Sequence, residues 1–170
     1  MKVHVVFDCV VCLQGAARES GPAGACFRLM SEGHITVYAS HATLAEIVDV
    51  LHRPKVRQRF KTLTPERVGA FLRELRSSVV LVDAVPQVFN FPRDPDDQAY
   101  VDLALAAGAK YLLTWDKDLL DLMEENPAGA AFRSDFPNLH IVTPPAFLRE
   151  IASVSSAPGQ PEEAPDPPTG

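Results

Sequence analysis

Four groups of acids are spread along this sequence: Asp8 inside VVFDCVV, Glu46 in TLAEIVDVL, Asp94, Asp96 and Asp97 in DPDD, and Asp116 and Asp118 in DKD. Asp8 is the most demanding of them. A lone carboxylate within an apolar run costs several kcal/mol unless it is paired, hydrogen-bonded or bound to a metal. If the fold gathered these acids on one rim, cations would have to balance their repulsion. Hard oxygen ligands favour Mg²⁺ or Mn²⁺. Two such ions about 3.5 to 4 Å apart can activate water and stabilise the leaving oxygen in phosphodiester hydrolysis.

Each acid also has a purely structural explanation. In DPDD, Asp94 suits an N-cap, Pro95 the first helical position, and Asp96 and Asp97 the positive end of a helix dipole. At about 100° per residue, Asp97 points the same way as Val101, Ala104 and Leu105, whereas Gln98 and Asp102 fall on the polar arc. Periodicity does not choose between Asp96 and Asp97. Glu46 lies about 150° from the stripe of Leu44, Ile47, Val48 and Leu51, and Thr43 with Glu46 could form a capping box. Asp116 would cap the helix DLLDLMEE, with Asp118 as a first-turn acid.

The elements that must position these residues follow from pattern. VHVVF, ITVY, VVLV, YLLT and LHIV are short runs rich in β-branched and apolar residues, and segments long enough for helices separate them. That alternation predicts a parallel sheet with helices on its faces. TPERVGAFLREL opens with a Thr cap and Pro65 in its first turn, and PDDQAYVDLALAAG closes on Gly108 as a C-cap. Open parallel sheets bind ligands outside the carboxyl ends of their strands. Asp8 and Asp116 each follow a strand.

At 170 residues the chain fits one folded domain, expected over 1–152. Residues 153–170 hold five prolines, three acids and no Lys or Arg, and are expected to be a disordered acidic tail. Three cysteines crowded into the first 26 residues argue against a disulfide framework and for a reducing compartment. Cys9 and Cys12 have the spacing of a redox or zinc pair, but there is no second pair, and two small buried thiols are expected. The opening stretch lacks the uninterrupted apolar core of a signal peptide, and no run approaches a membrane span. A cytoplasmic protein with no membrane association is the expectation.

The net charge of −6 hides a basic stretch. Residues 53–76 carry eight basic side chains against Glu66 and Glu74. If one helix ran through it, Arg53, Arg57 and Lys61 would share a face, and with Lys55 they could track a phosphate backbone. The competing explanation is a solvated helix face.

Together these features resemble the PIN domain, the nuclease fold of VapC-type toxins, and especially its toxin components of toxin–antitoxin pairs. The resemblance covers about residues 3–150. It rests on the first strand with Asp8, on Ser40 followed by Glu46 and VLHRPK, on DPDDQAYVDLALAAGAKYLLTWDKDLL, and on LHIVTP with its following helix. It implies an α/β, three-layer fold with a central, mostly parallel five-stranded sheet flanked by helices. Family members carry an acid eleven residues before the glycine of the AAGA-like segment, which is Asp97 here, and a Thr-x-Asp after the next strand, matching Thr114 and Asp116.

Carried over by position, the resemblance implies that Asp8, Glu46, Asp97 and Asp116 are catalytic and bind metal, with Asp118 a fifth ligand and Ser40 and Thr114 in support. The implied cofactor is Mg²⁺ or Mn²⁺. The implied partners are RNA, contacted by Arg53, Lys55, Arg57 and Lys61, and a small antitoxin; the apolar helices also leave room for a homodimer. In one respect the chain departs from the pattern. The family's Asp-Thr-Asn is here Asp8-Cys9-Val10, which removes a polar group that orients the site and favours the alternative of a non-catalytic RNA-binding or protein-binding module.

Overall fold

A computed structural model describes residues 2–155. In chain order the elements are β1 (Val3–Phe7), α1 (Cys9–Ala17), α2 (Pro22–Ser31), β2 (Ile35–Ser40), α3 (His41–His52), α4 (Pro54–Arg59), α5 (Pro65–Ser78) and β3 (Val80–Val82). Then come α6 (Pro95–Ala107), β4 (Tyr111–Leu113), α7 (Lys117–Leu120) with a 3₁₀ turn at Asp121–Met123, α8 (Pro127–Asp135), β5 (His140–Val142) and α9 (Pro144–Ser155). The five expected strands are present. Helix α9 takes in residues 153–155, which composition places in the tail; the disorder expected further on concerns residues 156–170, outside the described residues.

The strands form one sheet in the order β3-β2-β1-β4-β5, and every neighbouring pair is parallel. β1 lies in the centre because its side chains suit nothing else: Val5 and Val6 are wholly buried, as residues of a strand covered on both faces must be. The chain lays β2 and β3 on one side of β1 and then returns to place β4 and β5 on the other. The reversal falls between β1 and β4, whose registered ends are Phe7 and Leu113. Such a switch point leaves a crevice at the carboxyl ends of the strands.

Helix starts are set by local chemistry. Asp8, Ser40, Thr64, Asp94, Asp116 and Asn126 cap α1, α3, α5, α6, α7 and α8 through side-chain oxygens that accept backbone N–H groups. The capping box of α3 is reciprocal between Ser40 and Thr43, so Glu46 has no part in it. Helix α6 ends at Gly108, whose φ of +62° is a left-handed conformation that a side chain would strain.

Two expectations are corrected. The polar arc of α6 that holds Gln98 and Asp102 is not open to solvent: Asp102 is buried, and its Oδ1 accepts the N–H groups of Val88 and Phe89 at 3.0 and 2.7 Å. Gln98 Oε1 accepts from Phe91 N–H at 3.1 Å. Both side chains therefore hold the segment between β3 and α6, where Phe89 also packs on Phe91 and Phe132. Helical period reports where a side chain points, and not that a polar loop-binding wall waits there.

The second correction concerns the basic stretch. Arg53 is extended, at φ −67° and ψ 129°, and ends α3 while starting α4. Pro54 explains the break, since the residue before proline is pushed out of the helical region. Helix α4 stops at Arg59, so Lys61 lies in a turn, and Arg53, Arg57 and Lys61 do not form one continuous stripe.

Candidate metal centre

The crevice between β1 and β4 is built first from Asp8. The N–H of Asp8 donates to Leu113 C=O at 3.1 Å, which continues the β1–β4 ladder by one bond and drives the side chain into the switch point. Only 3% of Asp8 is exposed. One carboxylate oxygen accepts from Val11 N–H at 2.9 Å, and the other accepts the hydroxyl of Thr114. The partner that a buried acid requires is thus a helix N-terminus together with a buried threonine. Burial still dominates, and with the charges of Asp116 and Glu46 it pushes the Asp8 carboxyl up to about 6 against its two hydrogen bonds.

β4 supplies the opposite wall. Thr114 is fully buried, and its hydroxyl oxygen accepts Asp116 N–H at 2.9 Å. Asp116 Oδ1 then accepts the N–H groups of Asp118 and Leu119 at 2.8 and 3.3 Å. The structural explanation of Asp116 as a cap is therefore correct, and it is compatible with chemistry because the cap uses one oxygen of two.

Helix α6 brings the third wall. Asp94 caps it by accepting Asp96 N–H at 3.1 Å. Ligand atoms of Asp94, Asp97 and Asp116 lie within 4.8 Å of one another. Of the two acids that periodicity left open, Asp97 turns inward and Asp96 stays exposed. Burial first, then the charge of Asp116 and the closeness of its carboxylate, push Asp97 up to about 8; Asp94 and Asp8 add to the repulsion.

Asp97 Oδ2 is buried, and among the described residues no group donates a hydrogen bond to it. A buried acceptor without a partner is costly. An all-oxygen donor set with such an acceptor fits a hard divalent cation, which would supply the missing positive charge.

Glu46 approaches from α3. It accepts the hydroxyl hydrogen of Tyr100 at 2.9 Å, and its charge bears on Asp8. Asp8, Glu46, Asp97 and Asp116 thus share one neighbourhood. Asp118 does not join the close trio: it faces Arg93 at 3.6 Å, and Arg93 also reaches Asp121 at 3.8 Å. Ser40 serves as the α3 cap. Sequence reasoning had given Asp94 only a capping role. Its signal was the i, i+3 spacing to Asp97, which puts the cap and the third helical residue on one side of the first turn.

Val10, two residues after Asp8, is 46% exposed. Orientation of Asp8 here comes from Thr114 and the Val11 N–H. The neighbouring thiols carry no nucleophile: burial pushes Cys9 up to about 12 and Cys12 well above its usual range.

Of the basic candidates, Arg53 is paired with Asp49 at 2.7 Å on the exposed face of α3, and Arg57 donates to Leu51 C=O at 3.4 Å. Lys55 and Lys61 are exposed. Among the described residues no helix is long and apolar enough to cross a membrane. No curated protein matches the chain. A family model described as the PIN domain matches residues 4–118.

Proposed function

The chain belongs to the PIN-domain family, and from that membership we propose that it is a metal-dependent endoribonuclease hydrolysing RNA phosphodiester bonds. One observation carries the reading: ligand atoms of Asp94, Asp97 and Asp116 converge within 4.8 Å, with the charge of Asp8 bearing on Asp97, and Asp97 has a buried carboxylate oxygen that no donor among the described residues reaches. Asp8, Asp94, Asp97 and Asp116 would hold Mg²⁺ or Mn²⁺. When bound, the cation supplies Lewis-acid stabilisation of the phosphodiester oxygens and a water of lowered pKa.

The protein's own residues do the positioning. Thr114 ties Asp8 to the backbone of Asp116, so the β1 and β4 acids hold a fixed separation. Tyr100 steadies Glu46 on the α3 side. Locked side chains of this kind keep a reacting phosphate aligned without reorganisation cost.

The test is cleavage of single-stranded RNA by purified protein with Mg²⁺ or Mn²⁺. Asp8→Asn and Asp116→Asn should each abolish it while leaving the far-ultraviolet circular dichroism unchanged. Activity that persists in both variants removes the site. A toxin role in the cytoplasm, restrained by a small antitoxin over the acidic cleft, extends the same reading; a short adjacent reading frame whose product suppresses cleavage would support it.

A non-catalytic RNA-binding or protein-binding module is the second reading. Val10 at the asparagine position favours it. It predicts binding of RNA or a protein partner with no metal-dependent turnover.

A further inference from the structure

Beside the acidic centre lies a groove of about 730 Å³ with mixed walls. Trp115, Phe60 and Pro22 supply apolar surface, and Arg18, Arg59 and Lys61 supply positive charge; among the described residues no carboxylate lines the groove. Trp115 is 40% exposed. Its apolar ring and Phe60 form one side of a surface that is charged on the other, and aromatic rings of this kind offer large, rigid contact area to a ligand.

The ring's place is set by the centre itself. Trp115 stands between Thr114, which holds Asp8, and Asp116, which belongs to the close trio of acids. The other wall is tied down as well. Thr62 donates its hydroxyl to Ala17 C=O at 2.7 Å, fixing the turn after α4 against α1, and Arg59 lies over the Phe60 ring at 5.5 Å.

We infer that this groove is a subsite for single-stranded nucleic acid, in which Trp115 stacks a base flanking the scissile phosphate while Arg18, Arg59 and Lys61 take the adjoining phosphates. The inference rests on the nuclease reading and names the residues that would hold its unpaired substrate beside the acids. A base has two apolar faces and carries a phosphate on each side, so it needs the combination this groove offers: an exposed ring and cations without acids. A duplex keeps its bases stacked internally and cannot present one to Trp115. An apolar peptide would use the ring, but three cations with no acid among them do not select it.

Trp115 is the sole tryptophan of the chain, so its fluorescence reports the groove directly. The full protein in EDTA, where no cleavage occurs, is titrated with a short single-stranded oligoribonucleotide, the matching duplex and an abasic strand with the same backbone. The single strand should quench the fluorescence; the duplex and the abasic strand should not. Trp115→Leu, which lacks the fluorophore and is compared with the wild type by the anisotropy of a dye-labelled strand, should weaken single-strand binding about tenfold, the scale of one base–aromatic stack. Trp115→Phe should retain most of it.

Absence of quenching, or equal affinity of wild type and Trp115→Leu, overturns the subsite. So does a groove that takes a protein partner while oligoribonucleotide leaves the signal unchanged. The two failures are separable. Quenching without metal-dependent cleavage by the wild type keeps the subsite and sinks the nuclease reading, whereas cleavage with identical rates in wild type and Trp115→Leu does the reverse.

Discussion

Thr114 and Asp8, 106 residues apart in the chain, are joined by a hydrogen bond from the threonine hydroxyl to the buried carboxylate. The same hydroxyl oxygen accepts Asp116 N–H at 2.9 Å, so one side chain links both strand ends of the crevice. Thr114→Val preserves shape and removes the donor. We expect a loss of about 2 kcal/mol in metal-free stability, typical of a hydrogen bond to a buried charged group, and a large drop in cleavage rate. Urea unfolding together with an RNA cleavage assay checks both; unchanged values in both would dissolve the link.

Asp97→Asn should act in opposite directions on stability and on metal binding. Above about pH 8, where Asp97 is charged in the folded state, the substitution relieves the repulsion from Asp116, Asp94 and Asp8, so the Tm in EDTA should rise there. The increase in Tm that Mg²⁺ or Mn²⁺ gives the wild type should disappear, since binding only to the folded state is what raises it. A variant that still gains as much from the cation would show that Asp97 is not a ligand.

Stability of the metal-free protein should fall with rising pH. Asp8 at about 6 and Asp97 at about 8 both lie above the ordinary 3.8 of an aspartate. The folded state therefore binds more protons than the unfolded state across that interval. Its contribution is complete below about pH 4 and is lost as pH rises through 6 and then 8. Saturating divalent cation should flatten the decline. Urea midpoints measured from pH 4 to 9, with and without cation, decide it; a rise across the range without cation would contradict the crowded cluster.

Tyr100→Phe should separate positioning from folding. The ring is buried in the core, and only its hydroxyl reaches Glu46 at 2.9 Å. We expect a stability change of about 1 kcal/mol or less and a several-fold lower cleavage rate without loss of RNA affinity. An unaltered rate would leave Glu46 outside the working site.

Asp102→Ala should loosen the segment that leads into Asp94. Two N–H groups, of Val88 and Phe89, lose their acceptor, at a cost of roughly 2 to 4 kcal/mol. Hydrogen exchange should then speed up at residues 88 and 89 before it does in β1. Uniform exchange across the domain would argue against a local role.

Much of this was legible from residue order. The strand runs, the caps at Asp94 and Asp116, the C-cap at Gly108 and the acids after β1 and β4 all depend on contacts within a few residues, which composition and spacing encode. What spacing could not supply was company. That Asp94 joins the trio, that Asp97 and not Asp96 turns inward, and that Asp118 faces Arg93 depend on how α6 lies against the sheet.

The burial of Asp102 against the β3–α6 segment was likewise set by partners that a helical period cannot see, whereas the break at Arg53 follows from Pro54, its neighbour in the chain. The amino-acid sequence by itself determined which segments are strands and that Asp8, Asp94 and Asp116 sit at strand or helix ends. Only the tertiary structure decided that β1 and β4 are neighbours, because strand order is fixed by which apolar faces can be buried together over the whole chain, and that adjacency is what turns remote carboxylates into one crowded centre.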